Sequence, residues 1–298
     1  MELLTTCPVC ENSKMNVFLT VKDHFLTGEK FTIVNCSNCG FRFLNPRPDK
    51  TDISRYYNSE DYISHDAEKK SLFSMLYRII RKSAIKNKYR ILGKNPKEQN
   101  ILDIGCGTGE FLSFCQKKGM TATGVEPNEK ARNFAIAINN VPVFDESHLD
   151  GMTEGSYDFI TLWHVLEHVH DLNERMIKIR QLLKPGGTAI IAIPNSASWD
   201  ANHYKEFWAA YDLPRHLYHF NQKSFGLLAA KHNFILKKTL PLKWDAFYIS
   251  LLSEKYMKGS QGFVQATING LWSNIFASGH EKNYSSLIFI LESPKNED

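Results

Sequence analysis

Two groups of residues in this chain have types and spacings that can do chemistry. Three glycines at alternate positions, Gly105, Gly107 and Gly109, follow the apolar run Ile101-Leu102-Asp103-Ile104. Glycine permits the positive φ of a tight turn and lets a ligand lie against bare backbone. A helix beginning near Glu110 would present free N–H groups there. The spacing is not the dinucleotide fingerprint, whose third glycine falls one position later. A second short strand, Thr121-Ala-Thr-Gly-Val125, ends in Glu126. An acid at that place can accept both hydroxyls of a ribose. Glycine turn, helix, strand and terminal carboxylate together read as a nucleoside-binding half-site. The second group is Cys7-Pro-Val-Cys10 and Cys36-Ser-Asn-Cys39. Each Cys-x-x-Cys can set two thiolates on one ion, and two pairs complete a zinc tetrahedron. Four thiolates leave no open position, so the expected role of the metal is structural.

These groups need elements to hold them. The pattern predicts strand 101–104, helix 109–118, strand 121–126, helix 128–139, strand 141–144, strand 157–163, helix 173–184 and strand 187–193. Alternation of this kind predicts an α/β fold, a doubly wound, mostly parallel sheet with helices on both faces. Ligands then sit beyond the carboxyl ends of the strands. The organisation expected is a zinc-ribbon module at 1–48, a helical linker or cap at 49–95 and the α/β domain at 96–298. So short a front end cannot bury a stable core without a metal staple. Within the linker, residues 70–92 follow helical spacing through Leu72, Met75, Leu76, Ile79 and Ile80, and Arg78, Arg81, Lys82, Lys86, Lys88 and Arg90 make the other side basic. A basic amphipathic helix can meet an anionic membrane or a phosphorylated acceptor, and a solvated cationic face is the plainer reading.

The glycine loop resembles the first motif of the class I S-adenosylmethionine (SAM) methyltransferases. Val125-Glu126-Pro127 is similar to their second-strand acid. Tyr157-Asp158-Phe-Ile-Thr-Leu162-Trp163-His164-Val-Leu-Glu167-His168 resembles their fourth strand and its turn. Leu183-Lys-Pro185-Gly186-Gly187 through Ile193-Pro194-Asn195 resembles the junction into the fifth strand. The resemblance covers roughly residues 96–240 and points to the quinone-biosynthesis-like branch. The four-cysteine module ahead of the fold resembles the layout of sugar C-methyltransferases. It implies a Rossmann-like sheet of seven strands, the last of them antiparallel. The cofactor it implies is SAM, with S-adenosylhomocysteine as product. Asp103 would then help hold the methionine amino group, and Glu126 the ribose. Asp145, or Glu146 beside it, would meet the adenine. Trp163 and His164 would lie by the sulfonium, whose charge favours an aromatic face. In resembling enzymes aromatics ahead of the first strand can cover the cofactor, which draws attention to Tyr57 and Tyr62.

His164-Val-Leu-Glu167-His168 also fits the H-x-x-E-H pattern of a zinc peptidase family. It continues a buried strand and stays in register with the other motifs, so the family-typical turn explains it better. After the fifth strand, Phe207-Trp208 and Asp212-Leu-Pro214-Arg215-His216-Leu-Tyr-His219-Phe220 form a region dense in aromatics, His and Arg. Removing a proton from an oxygen or carbon acceptor suits a histidine near neutral pH. His216 is the expected base, with His219 and His164 behind it; capping or backbone bonding is an equal alternative for each. An aromatic-rich insertion at about 244–280 reads as a lid, a dimer contact or a lipid-facing surface.

The chain has 298 residues, 43% of them hydrophobic, and a net charge of +4. So modest a balance does not mark a dedicated nucleic-acid binder. No apolar run reaches the roughly 18–20 residues of a membrane span, and the N-terminus lacks the features of a signal peptide. The expectation is a cytoplasmic protein, with peripheral contact to the inner membrane face as a further option. The leading functional expectation is O- or C-methylation of a small-molecule, sugar or lipid-linked acceptor. A zinc-containing ribosomal RNA methyltransferase and a non-catalytic SAM-binding protein are the alternatives.

Overall fold

The computed structural model describes residues 1–57, 83–93, 96–260 and 262–295. Tyr62 and the 70–82 part of the expected basic helix lie outside the described residues, while 83–91 are helical. The chain forms two compact units. One comprises Met1–Asn58, His164–Met176 and Ile191–Leu291; the other comprises Ser59–Trp163, Ile177–Ile190 and Glu292–Asp298.

The second unit carries the glycine loop and the strands that flank it. Strand β4 (Asn100–Ile104) pairs in parallel with β5 (Thr121–Val125) and with β7 (Tyr157–Trp163), and β5 pairs with β6 (Val143–Phe144). Ile101, Leu102 and Ile104 are all buried, as expected of a strand covered on both faces. The strand expected at 141–144 is shorter, because Pro142 has no N–H for the ladder, though its carbonyl still accepts from Gly124 N of β5 at 2.9 Å. Helix α1 (Glu110–Lys117) starts at Gly109, and α2 (Glu129–Asn139) starts at Asn128, whose side chain accepts from Ala131 N at 3.0 Å. Helix α3 (Leu172–Leu182) leads into β8 (Leu183–Pro194), which begins four residues ahead of expectation.

With β10 (Ile235–Pro241) and β11 (Ser286–Glu292), the strand order is β10-β11-β8-β7-β4-β5-β6. Asn195 N donates to Ser285 O at 2.8 Å and Ser293 N to Gly187 O at 2.9 Å, so β11 runs antiparallel to β8. This is the doubly wound, mostly parallel seven-stranded sheet. Its order reverses between β4 and β7, the switch point where such sheets hold ligands.

The first unit contains a smaller sheet of order β1-β2-β3-β9, from β1 (Met15–Lys22), β2 (Lys30–Cys36), β3 (Arg42–Leu44) and β9 (Tyr218–His219). The ribbon therefore takes its fourth strand from the 218–219 segment, with Arg42 opposite His219 and Phe43 opposite Tyr218. The aromatic-rich insertion is two helices, α6 (Asp245–Lys258) and α7 (Phe263–Gly279), which follow α4 (Trp199–Tyr204) and α5 (Gln222–Lys231). Among the described residues no helix is long and apolar enough to cross a membrane.

A buried carboxylate ties this region together. Asp200 on α4 is fully buried; it accepts from Trp208 Nε1 at 2.8 Å, Ser285 Oγ at 2.6 Å and Ser273 Oγ on α7 at 2.8 Å. Removing it strands three buried donors, each costing roughly 1–3 kcal/mol. Asp200→Ala is expected to destabilise the protein by about 3 kcal/mol or more, read by chemical denaturation. A loss below about 0.5 kcal/mol, the scale of a neutral surface change, would show that the network contributes nothing.

Candidate functional site

In the second unit the glycine loop is a backbone cage held by a carboxylate. Gly105, Gly107 and Gly109 have φ of 72°, 54° and 74°. At Gly109 a Cβ would also stand 2.9 Å from the Cβ of Ala135 on α2, so both the conformation and the space require glycine. Gly105 N and Cys106 N both donate to Val125 O, at 2.7 and 3.1 Å. Glu126, buried just past β5, accepts from Gly107 N at 2.8 Å through Oε2 and from Asn128 N at 2.9 Å through Oε1. Beside Gly107 a Cβ would meet nothing within 4 Å, so the loop has open space against its backbone.

Asp103 is buried at the end of β4 and accepts from Thr161 Oγ1 on β7 at 2.5 Å. Burial pushes its carboxyl up to about 7, with the Lys88 charge and the Thr161 bond opposing. Trp163 ends β7 with Phe111 edge-on at 5.9 Å and the Lys88 ammonium 4.3 Å from its ring centre. A cation thus already rests on this aromatic face. Asp145 is exposed and caps a short 3₁₀ turn, accepting from Ser147 N and Oγ, while Glu146 is exposed beside it.

In the first unit a group of histidines and acids surrounds one buried carboxylate. His164 sits at φ 57° and donates its N–H to Ala192 O. The sequence His164 to His168 is a bend and a 3₁₀ turn (Leu166–His168), not a helix, so the two histidines do not stack as in a zinc peptidase. His164 Nε2 lies 2.9 Å from Asp245 Oδ2 and its Nδ1 lies 3.4 Å from Glu167 Oε1. Burial works against the imidazolium, but Asp245 and then Glu167 outweigh it and raise the group to about 10. Glu167 is 1% exposed; burial opposes its charge, and His164, His216 and His168 together hold it below the usual carboxylate range.

His168 Nδ1 faces the Arg215 carbonyl and the Tyr57 hydroxyl, both at 3.0 Å. Burial and the neighbouring His216 lower it to about 4, so it is neutral at physiological pH. His216 Nδ1 donates to the Ala210 carbonyl at 2.8 Å. That bond leaves Nε2 as the acceptor nitrogen, 3.9 Å from Asp212 Oδ2. The His216 ring meets that of His168 edge-on at 4.5 Å, and Glu167, His168 and His216 present polar atoms within 4.8 Å of one another. Arg215, buried, clamps Asp212 and bonds Asp23 at 3.0 Å. His219 is buried against Tyr211, and burial, then His216 and Arg42, keep it neutral.

Sequence reading singled out His164, His216 and His219 but gave no role to Asp212, Arg215 or Asp245. Asp245 opens α6, far along the chain from His164, and no spacing rule connects them. Glu167 carried a signal in retrospect: it is an acid inside an otherwise apolar strand-and-turn segment.

The four cysteines converge. Cys7 Sγ and Cys39 Sγ are 3.6 Å apart, Cys10 Sγ and Cys36 Sγ 3.5 Å, and all four lie within 4.8 Å of one another. Thiolates about 2.3 Å from a zinc ion lie about 3.8 Å apart in a tetrahedron, whereas a disulfide needs about 2.05 Å. The cage fits a zinc ion. Burial pushes the Cys7 thiol well up and Cys39 to about 11; at Cys10 burial is outweighed by hydrogen bonds from Asn12 and Asn38, which lower it to about 6.

Comparison with known proteins gives the family and the fold. Residues 76–238 match the family described as "Methyltransferase domain", and the chain belongs to that family. It is 33% identical over 111 residues to a ubiquinone biosynthesis O-methyltransferase of Escherichia fergusonii, covering 34% of this chain and 46% of that protein. The chain thus spans about half the length of the curated relatives it matches. Among solved structures, phosphoethanolamine N-methyltransferase 2 of Haemonchus contortus, in complex with SAM, superposes with a TM-score of 0.51 at 18% identity, covering 72% of this chain and 53% of that one. Geranyl diphosphate C-methyltransferase of Streptomyces coelicolor A3(2) gives 0.51 at 14% identity, covering 71% and 76%. At such identities these two share the fold alone.

His164 provides a test of the electrostatics. Its ring should remain an imidazolium at pH 8 by nitrogen-resolved NMR, and Asp245→Asn should bring its titration down toward the ordinary value near 6.5. Since folding raises this group, the stabilisation is complete below about 6.5 and is lost as pH climbs to about 10. Asp245→Asn should therefore lower Tm more at pH 6 than at pH 10. A neutral His164 at pH 8 would refute the assignment.

Proposed function

We propose that this chain is a cytoplasmic SAM-dependent methyltransferase acting on a small organic acceptor at an oxygen or carbon. The observation that supports the reading most is the edge formed by β4 and β5. Asp103 and Glu126 stand at the ends of adjacent strands, with the positive-φ glycine loop bonded between them. In this reading Glu126 holds the ribose with the lone pairs its two amide bonds leave free. Asp103 faces the cationic methionine end, Asp145 or Glu146 meets the adenine, and Trp163 and His164 lie beside the sulfonium. SAM, when bound, supplies an electrophilic methyl group on that sulfonium.

The remaining chemistry is the acceptor's proton. His164 is already charged and cannot take it, so it serves as a fixed positive partner of Glu167 and Asp245. His168 is turned by its Nδ1 contacts toward a structural role. His219 is buried and its ionisation is strongly disfavoured. His216 donates Nδ1–H to the Ala210 carbonyl and so keeps Nε2 as an acceptor, with Asp212 Oδ2 3.9 Å away. His216 is therefore the base we assign. In this reading the methyl carbon would pass from the sulfonium sulfur to the acceptor atom, the electron pair of the broken C–S bond leaving with S-adenosylhomocysteine, and the acceptor's proton would pass to His216 Nε2. The relatives named as ubiquinone biosynthesis O-methyltransferases favour an oxygen acceptor, and a sugar fits the ribbon-bearing layout.

Labelled SAM with purified protein and an extract of its own cells tests the class of acceptor. Label should enter the organic or the aqueous small-molecule fraction, and label confined to the acid-insoluble pellet would contradict a small acceptor. With the acceptor in hand, His216→Ala should cost about 10²–10⁴-fold in kcat and flatten the pH profile on its acid side. Near-normal turnover with an unchanged profile would remove His216 from the role.

We also propose that the cysteine cage carries one structural zinc. Purified protein should hold one zinc per chain, and Cys36→Ser should lose it and lower Tm. Protein that is metal-free as isolated, yet equally stable after chelation, would contradict this.

A further inference from the structure

Helix α7 is built inside out. α7 has 17 residues and not one charge. Its buried positions are Ala266, Asn269, Gly270, Ser273 and Ala277, all small or polar. Its exposed positions include Phe263, Val264, Ile268, Leu271, Trp272 and Ile275, which are between 51% and 76% exposed. α6 shares part of the pattern: Ser250, Ser253 and Glu254 are buried beside Ala246 and Ile249, whereas Trp244 at its start and Tyr248 are 60% and 59% exposed. A surface helix of a water-facing protein shows the opposite pattern.

The inward polar groups are accounted for. Asn269 Nδ2 donates to Glu254 Oε1 at 3.1 Å and to the Tyr204 hydroxyl at 2.8 Å, and Ser273 donates to Asp200. At Gly270 an added Cβ would come within 2.9 Å of the Phe247 Cα, so the helices pack at a separation only glycine allows. Small and polar residues inward with large apolar residues outward is the arrangement of helices whose outer surroundings are lipid. The apolar face is contiguous along α7, since 264, 268, 271, 272 and 275 fall on one helical stripe.

Charge at the ends of this helix pair says which lipid. Lys255 and Lys258 stand at the close of α6, near the turn into α7; Lys258 is held by Glu254 at 2.7 Å. At the other end Asn274 Nδ2 bonds the Lys243 carbonyl at 3.0 Å, and Lys282 reaches the Ser278 carbonyl. The acids here are Asp245, turned to His164, Glu254, buried, and exposed Glu281. The rim is therefore basic. Trp and Tyr at the face and Lys at its ends are what an interfacial helix presents to an anionic bilayer.

We propose that the α6–α7 face docks in the interfacial layer of an anionic membrane, lying in its plane. The inference is independent of the methyl-transfer reading, since it rests on the surface alone.

The test is flotation of the full chain with vesicles of phosphatidylcholine alone or with about 30 mol % phosphatidylglycerol. The wild type should float with the anionic vesicles, with a blue shift of tryptophan emission, and about tenfold less with the neutral ones. Ile268→Glu and, separately, Val264→Lys should retain the native circular dichroism and thermal transition, and should cut flotation at least tenfold. Two variants of opposite charge guard against a folding defect in either. Absence of flotation with anionic vesicles would overturn the proposal. So would a concentration-dependent dimer in light scattering that Ile268→Glu dissolves while leaving flotation unchanged, for the face would then belong to a second copy. Methyl transfer and SAM binding are read in separate assays, so failure here leaves them untouched.

Discussion

A single carboxylate organises the glycine loop of this protein. Glu126 is buried at the end of β5 and accepts the amides of Gly107 and Asn128. Charged acceptors make the stronger hydrogen bonds, and here one residue fixes both the glycine loop and the start of α2. The loop cannot relax outward without breaking that bond. Val125, the residue before Glu126, accepts two further amides of the loop through its carbonyl, so β5 holds the turn from two adjacent positions. The same glycines that permit the turn leave it little stiffness of their own. Its shape is supplied by β5 and by the close seat of Gly109 against Ala135.

The other unit is governed by alternating charge in a confined space. Asp245, His164 and Glu167 form a negative-positive-negative row, and Asp23, Arg215 and Asp212 form another. Such rows are worth little unless every member is matched, because an unpaired buried charge is costly. Matching also divides the labour among the histidines. The one flanked by two acids is charged, those shielded by burial and their neighbours are neutral, and His216 bonds the Ala210 carbonyl through Nδ1 and turns Nε2 toward Asp212. A sequence motif cannot express this, since His164, His168, His216 and His219 are chemically identical until their surroundings are known.

Much of the fold was legible because it rests on local rules. The apolar run to Ile104, the glycines, and the acid after Val125 state a strand, a turn and a second strand in consecutive residues. The convergence of the cysteine pairs was equally plain, as each Cys-x-x-Cys spacing sets two thiols side by side. What sequence did not reveal depends on contacts between distant segments. Asp245 reaches His164, β9 joins the ribbon sheet, and Pro142 shortens β6, though the last could have been foreseen from the missing N–H. The insertion at 244–280 read as aromatic-rich, which was correct in composition. Its inversion was hidden because a helix with apolar residues on one stripe looks the same whether that stripe faces a core or the outside. Only the burial of Asn269 and Ser273 with Asp200 and Glu254 decides which face is which.

The central claim is that the Glu126-clamped loop is a SAM site. Calorimetric titration of SAM into the wild type and into Glu126→Gln tests it most directly, because it needs no acceptor. The account predicts one site per chain in the wild type and an affinity weaker by about 10–100-fold in the variant, the loss of charged hydrogen bonds worth roughly 1.5–3 kcal/mol. A folded wild type that takes up no SAM, or a Glu126→Gln protein that binds it equally well, would contradict the account.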